Sequence, residues 1–207
     1  MKGTFITFEG VEGCGKTTQI ARAQAYLCAQ GRPVDVTREP GGSPIAEAIR
    51  RLLLDAENTA MTPVAELLLY EAARAQHVEE RIRPALEAGI TVLCDRFADS
   101  TTVYQGAARG LDRAHVTFLH EMATRGVWPD RTIVIDVPAE EGLRRATQYG
   151  SDRLEREHID FHRRVREGFL TLAREDPHRV RIVDGMQSVD AVADAIRPLL
   201  DEILGEP

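Results

Sequence analysis

Short runs of β-branched and aromatic residues alternate along this chain with stretches whose apolar side chains recur every three or four positions. The runs predict strands at residues 4–8, 33–37, 90–94, 132–135 and 180–183. Between them, Ile20, Ala23 and Leu27 mark a helix over 17–30 that Gly31 ends. A second helix is expected over 45–54, entered through Pro40-Gly41-Gly42-Ser43-Pro44. A longer helical segment starts at Pro63, carries Val64, Leu67, Leu68, Ala72 and Ala75, bends near Pro84 and ends at Gly89. Further helices are expected from near Glu140, from about Glu157 and over Val189–Leu204. Alternation of this kind predicts an α/β fold: a five-stranded parallel sheet with helices on both faces, in three layers. No repeat, low-complexity tract or linker interrupts it, so residues 1–207 are expected to form a single domain.

Composition narrows the possible partners. The chain has 207 residues, 43% of them hydrophobic, enough for a full core without staples. A net charge of −7 argues against a general binder of nucleic acid or of membrane surfaces, since such binders concentrate positive charge. Any phosphate site must then be local. Cys14, Cys28 and Cys94 are odd in number and widely spaced, which suggests neither a disulfide framework nor a zinc site. Together with the lack of a signal-like N-terminus or a membrane-length apolar run, they predict a soluble, cytoplasmic protein. Cys14 is expected to be accessible beside Lys16; it reads either as a thiol of lowered pKa or as a small residue in a tight loop, and no catalytic role is assigned to it.

The strongest chemical signal is Gly10-Val11-Glu12-Gly13-Cys14-Gly15-Lys16-Thr17, which fits G-x-x-x-x-G-K-[ST] between a predicted strand and a predicted helix. Glycines let backbone N–H groups turn inward around a polyphosphate at a helix N-terminus. Lys16 can reach the outer phosphates, the Thr17 hydroxyl can ligate Mg²⁺, and Thr18 completes the turn into the helix. A P-loop NTPase-type fold is therefore expected.

In such sheets ligands bind beyond the carboxyl ends of the strands. Those positions are charged here: Glu9, Arg38-Glu39, Asp95-Arg96 and Asp136, with Arg50 also near a strand end. Asp95 suits a site near Mg²⁺, and Arg96 offers a planar fork for phosphate; a purely structural Asp–Arg pair is the other reading. Tyr70 and Arg74 stand four apart on one helix face, either as a nucleobase site or as a core tyrosine beside a surface arginine. The run from Asp99 to Gly106 brings Thr101, Tyr104 and Gln105 to the same end of the sheet, and an amide can both donate to a carbonyl and accept from an imide N–H, as a thymine or uracil edge requires. Residues 149–156 are short, polar and cationic, and read either as a lid that delivers an arginine or as an ordinary helix–helix turn.

Taken together, Phe8 to Thr18, Thr37 to Gly42, Asp95-Arg96-Phe97 with Asp99-Ser100 and Tyr104-Gln105-Gly106, and Asp152-Arg153-Leu154-Glu155 resemble the thymidylate kinase family, across essentially the whole chain. The resemblance implies transfer of the γ-phosphoryl group of Mg·ATP to dTMP. It implies that Glu12 lies near the sugar 3′-hydroxyl, that Arg50 and Arg96 hold the monophosphate, that Arg74 and Gln105 read the base, that Tyr70 stacks on it and that Tyr104 crowds the 2′ position. Gly13 in the phosphate loop implies the bacterial variant whose catalytic arginine sits in the lid, Arg153 first and Arg145 second. A homodimer is implied as well, which a long helix apolar over much of its girth would suit. The rival readings are a kinase for another nucleoside monophosphate and a nucleotide switch that binds a protein partner. The Asn-Lys-x-Asp run of a guanine-reading switch is absent from the sequence.

Overall fold

The structure, a computed structural model, describes residues 3–147 and 153–205. Five parallel strands, β1 (Phe5–Glu9), β2 (Val34–Arg38), β3 (Thr91–Asp95), β4 (Arg131–Asp136) and β5 (Val180–Asp184), form one sheet in the order β2-β3-β1-β4-β5. The α/β, three-layer expectation is met. Every strand lies within a residue or two of its predicted span, because β-branched runs bounded by Gly, Pro and Asp carry that signal locally.

The helices are α1 (Lys16–Ala29), α2 (Pro44–Leu54), α3 (Pro63–His77), α4 (Arg83–Glu87), α5 (Ala98–Thr101), α6 (Arg113–Thr124), α7 (Ala139–Ala146), α8 (Ile159–Glu175) and α9 (Val189–Leu204). Prolines enter the first turns of α2 and α3, where the missing N–H is not needed. The Thr62 hydroxyl caps α3 through the Ala65 N–H, and Ser188 caps α9 through the Ala191 N–H.

The expected bend near Pro84 takes a specific form. Between α3 and α4 the chain runs through a π-helical turn, Val78–Ile82, with helical dihedrals at both of its ends. Pro84 has no N–H for the carbonyl one turn back, and widening the ladder ahead of it keeps the segment continuous. A second π-helical segment, Thr102–Ala108, continues α5 and carries Tyr104 and Gln105, a helix that strand-like and turn-like residues there did not announce.

Apolar side chains from β1, β3 and β4, among them Ile6, Phe8, Leu93, Ile133 and Ile135, are fully buried between the helical layers. Register then levels the rim: Phe8 pairs with Asp95, Arg38 with Asp95, and Glu9 with Val134. The carboxyl ends of β2, β3, β1 and β4 thus open on one side of the molecule.

Candidate active site at the carboxyl ends of the strands

A cavity of about 420 Å³ lies on that side, lined by phosphate-loop residues Glu12, Gly13, Gly15, Lys16 and Thr17 and, opposite them, by Arg96, Tyr70, Arg74, Tyr104 and Gln105. On the loop side, Gly15 takes a left-handed φ of 97° that turns the chain into α1. Lys16 Nζ donates to the carbonyls of Gly10 and Val11 at 3.4 and 3.2 Å and contacts Cys14 Sγ at 3.6 Å. These are long bonds, easily exchanged for phosphate oxygens. Val11 and Cys14 are buried under the loop, so the expected access to Cys14 is not found: its thiol packs inward, and the small-residue reading describes it. Thr18 sits exposed on the first turn of α1.

The Thr17 hydroxyl donates to Asp95 Oδ2 at 3.4 Å, so two hard oxygen donors meet at the cavity edge. Among the described residues no cluster of three or more His, Cys, Asp or Glu side chains is arranged around a cation position. Two protein oxygens completed by phosphate and water fit Mg²⁺, which holds its water tightly and seldom occupies an all-protein cage.

Opposite the loop the charges are paired in advance. Arg96 Nη1 donates to the Gly10 carbonyl and to Ser100 Oγ, at 3.0 and 3.1 Å, and Nη2 to Glu12 Oε1 at 3.2 Å. The Tyr104 hydroxyl donates to the same Glu12 oxygen at 2.5 Å, and His162 Nδ1 lies 3.4 Å from the other. Burial opposes ionisation of Glu12, but His162, Arg96 and Tyr104 overrule it and hold the carboxyl down at about 2. Glu9 goes the other way: burial dominates and pushes its carboxyl up to about 7 despite Arg96.

The wall of the cavity formed by α3 and residues 101–105 is likewise enclosed. Tyr70 and Arg74 share a wall of the cavity, as their spacing predicts, but Arg74 is no surface residue. Its guanidinium is wholly buried, with Nε on Glu39 Oε2 at 2.9 Å, Nη1 on Glu71 Oε1 at 2.5 Å and Nη2 on Thr101 Oγ1 at 3.0 Å. It also lies over the Phe97 ring, 5.3 Å from its centroid. Gln105 donates through Nε2 to Glu66 Oε1 at 2.8 Å. The helix read as apolar over much of its girth therefore buries Glu66, Glu71, Arg74 and His77 on its inner side and exposes Val64 and Leu68. The pattern missed this because each of these polar side chains also has a partner in another element.

Arg50 lines the cavity, held by Nη1 on the Pro40 carbonyl at 2.7 Å, and Arg38 pairs with Glu47. Asp136, counted at the rim from sequence, is instead engaged by both Nε and Nη2 of Arg166. Of the expected lid, 149–152 lie outside the described residues, and 153–156 form a turn before α8.

Arg153 differs from its predicted place. It is buried, its Nε donates to the Leu53 carbonyl at 2.9 Å, and Nη2 lies 2.6 Å from Glu66 Oε2, close but off a hydrogen-bonding line. It does not line the cavity, whereas Arg145 does. A side chain at position 13 would overlap the Gly142 carbonyl and stand 3.0 Å from Arg145 Cβ. Gly13, at φ 67°, thus lets the loop pass directly beneath Arg145. Residues that sequence reasoning left without a role include Glu9, Glu39, Glu66 and His162. For Glu9 and Glu39, an acid at a strand end was the available signal; for Glu66 and His162 there was none.

A phosphate loop at the switch point of a 2-3-1-4-5 parallel sheet, facing a rim of arginines, defines a P-loop NTPase-type protein. The family model described as thymidylate kinase matches residues 8–196. Two relatives named thymidylate kinase, from Geotalea uraniireducens (strain Rf4) and Geobacter sulfurreducens (strain ATCC 51573 / DSM 12127 / PCA), are 54% and 55% identical, covering 94% and 96% of both chains in each comparison. The crystal structure of thymidylate kinase from Ehrlichia chaffeensis superposes with a TM-score of 0.79 at 33% identity, over 97% of this chain and 99% of that one. The chain belongs to the thymidylate kinase family.

Proposed function

We infer that this protein transfers the γ-phosphoryl group of ATP to dTMP, giving dTDP and ADP. The observation that carries the reading is one cavity joining a phosphate cradle to a buried Tyr70–Arg74–Gln105 wall, on a chain with family-wide similarity to thymidylate kinases. The acceptor is already an anion, so no strong base is required. The protein must bring two repelling phosphates into line and neutralise the charge that spreads over the transferring group.

In this reading Gly10 to Thr18 cradle the donor phosphates, and Lys16 releases its loop carbonyls to follow the outer ones. Arg96 and Arg50 hold the acceptor phosphate, and Glu12, fixed by Tyr104 and Arg96, faces the sugar 3′-hydroxyl. Tyr70 stacks on thymine while Arg74, Thr101 and Gln105 set its edge. Mg²⁺, held by Thr17 and near Asp95, would neutralise charge on the bound phosphates. Arg145, over Gly13, takes the part of the transition-state arginine in place of Arg153. The whole chain acts as one catalytic domain, with the lid at about 149–156.

α3 and α6 pack together and expose Val64, Leu68, Phe118 and Met122, a face suited to an isologous dimer. Among the described residues no helix is long and apolar enough to cross a membrane, and use of ATP with unpaired thiols supports a cytoplasmic location. ATP-dependent turnover compared over dTMP, dUMP, dCMP, dGMP and ribose TMP tests the function: dTMP should lead by at least about tenfold in kcat/KM. A preference for another monophosphate would transfer the reading to that nucleotide, and hydrolysis without any acceptor would favour a switch.

A further inference from the structure

Glu9 ends β1 with a carboxyl group that is fully buried, and nothing above gives it a task. A buried acid is costly unless its oxygens are satisfied. Oε1 accepts from the Phe97 N–H at 2.8 Å and the Ser100 N–H at 3.3 Å, and Oε2 accepts from the Ser100 hydroxyl at 2.6 Å. These donors follow Arg96 directly in the chain, and its φ of 69° lies in the left-handed region. A non-glycine residue there is strained and persists only where its surroundings hold it. β1 supplies that hold from both directions: the Arg96 N–H donates to the Phe8 carbonyl at 3.0 Å, and the next N–H, that of Phe97, donates to Glu9.

The link continues into the side chain. Ser100 Oγ donates to Glu9 and accepts from Arg96 Nη1 at 3.1 Å, so one hydroxyl joins the carboxyl to the guanidinium. Glu9 Oε2 itself stands 3.9 Å from Arg96 Nη1. We propose that Glu9 is the positioning residue for Arg96: by fixing the 96–100 turn and relaying through Ser100, it sets the guanidinium against the acceptor phosphate. The proposal rests on the reading of Arg96 as the residue that holds that phosphate. Elevation of the Glu9 carboxyl to about 7 by burial agrees with a group held for its bonds rather than for its exposure to solvent.

The test is a cycle of Glu9→Gln, Arg96→Ala and the double variant, with KM for dTMP, KM for ATP and kcat measured for each. Glutamine keeps the shape but carries one acceptor oxygen and no charge. Glu9→Gln should raise KM for dTMP about tenfold, the usual weight of a lost hydrogen bond to a charged group, while KM for ATP moves less than about twofold. In the double variant Glu9→Gln should add nothing to Arg96→Ala, because its effect passes through that arginine. Ser100→Ala, which cuts the relay at the cavity wall, should repeat the selective rise in smaller measure and stands in should Glu9→Gln not fold. If Arg96→Ala leaves dTMP handling intact, the acceptor-site reading falls and takes this proposal with it. If Arg96→Ala is damaging but both Glu9→Gln and Ser100→Ala are silent, additive with it, or equally harmful to ATP, only the role of Glu9 is overturned.

Discussion

The two halves of the cavity are built on opposite principles. On the acceptor side Arg74 and Gln105 are buried, Arg96 is half-buried, and all three are already committed to Glu39, Glu71, Glu12 and Glu66. On the donor side Lys16 rests on long bonds to loop carbonyls, and Arg145 is one-third exposed and paired with Glu141 at 2.6 Å. On the proposed function, the acceptor half is paired before any ligand arrives and would select by leaving the wrong base unpaired. Lys16 keeps only long bonds to its loop, so on the proposed function its energy would be released on charge that develops during transfer. Selection and catalysis would then fall to different parts of one pocket.

The two halves of the cavity should differ most at the arginines in and beside the lid. Arg145→Ala should lower the single-turnover rate by about 10³ to 10⁵, the range for a finger arginine, with dTMP affinity nearly kept. Arg153→Ala should cost less than about tenfold in rate while lowering the melting temperature, since it leaves Glu66 short of a partner. The reverse outcome would return the catalytic role to Arg153.

Next in size is Arg74→Met, which strands Glu39 and Glu71 in the core. Breaking a buried pair costs about 3–5 kcal/mol, so urea denaturation should show most of the protein's stability gone. A loss below about 1 kcal/mol would mean that the acceptor half is not preorganised by these pairs.

The two acids of β1 and the loop sharpen the comparison through pH. Glu9, raised from 4.5 to about 7, takes up its proton more readily folded than unfolded. Its contribution is full below about 4.5 and is lost as pH rises to 7, by about 3 kcal/mol in total. Glu12, lowered to about 2, contributes above 4.5 and loses that contribution as pH falls toward 2. Denaturation midpoints of wild type and Glu9→Gln between pH 5 and 7.5 should therefore converge toward the acid end and diverge in the variant's favour toward the neutral end. Parallel curves would remove the elevated carboxyl.

Smaller again is Gln105→Glu, which sets a second carboxylate against Glu66, 2.8 Å from the present amide nitrogen. kcat/KM for dTMP should fall about 100-fold as the donor is lost and like charges meet, with the ATP dissociation constant unchanged. Equal losses for both nucleotides would show that Gln105 supports the fold rather than the base.

Local pattern carried a large share of this protein. The strand runs, the phosphate loop between β1 and α1, and the Asp95-Arg96 pair at a strand end each depend on residues adjacent in sequence, whose periodicity and turn chemistry can be read directly. The joint placing of Tyr70 and Arg74 followed from helical spacing alone. The buried charges of α3 could not be read that way. Arg74 is satisfied by Glu39, 35 residues away, and Gln105 by Glu66, 39 residues away, and a charged helix face looks solvated until those partners fold onto it. The choice between Arg153 and Arg145 was of the same kind. Both are arginines near a predicted lid, and only packing places one beneath Leu53 and Glu66 and the other above Gly13. Sequence determined which chemical groups the strand ends present, because that is a property of neighbours; tertiary structure decided which of them are spent on one another and which stay open to a ligand, because pairing in a low-dielectric interior depends on distance through space.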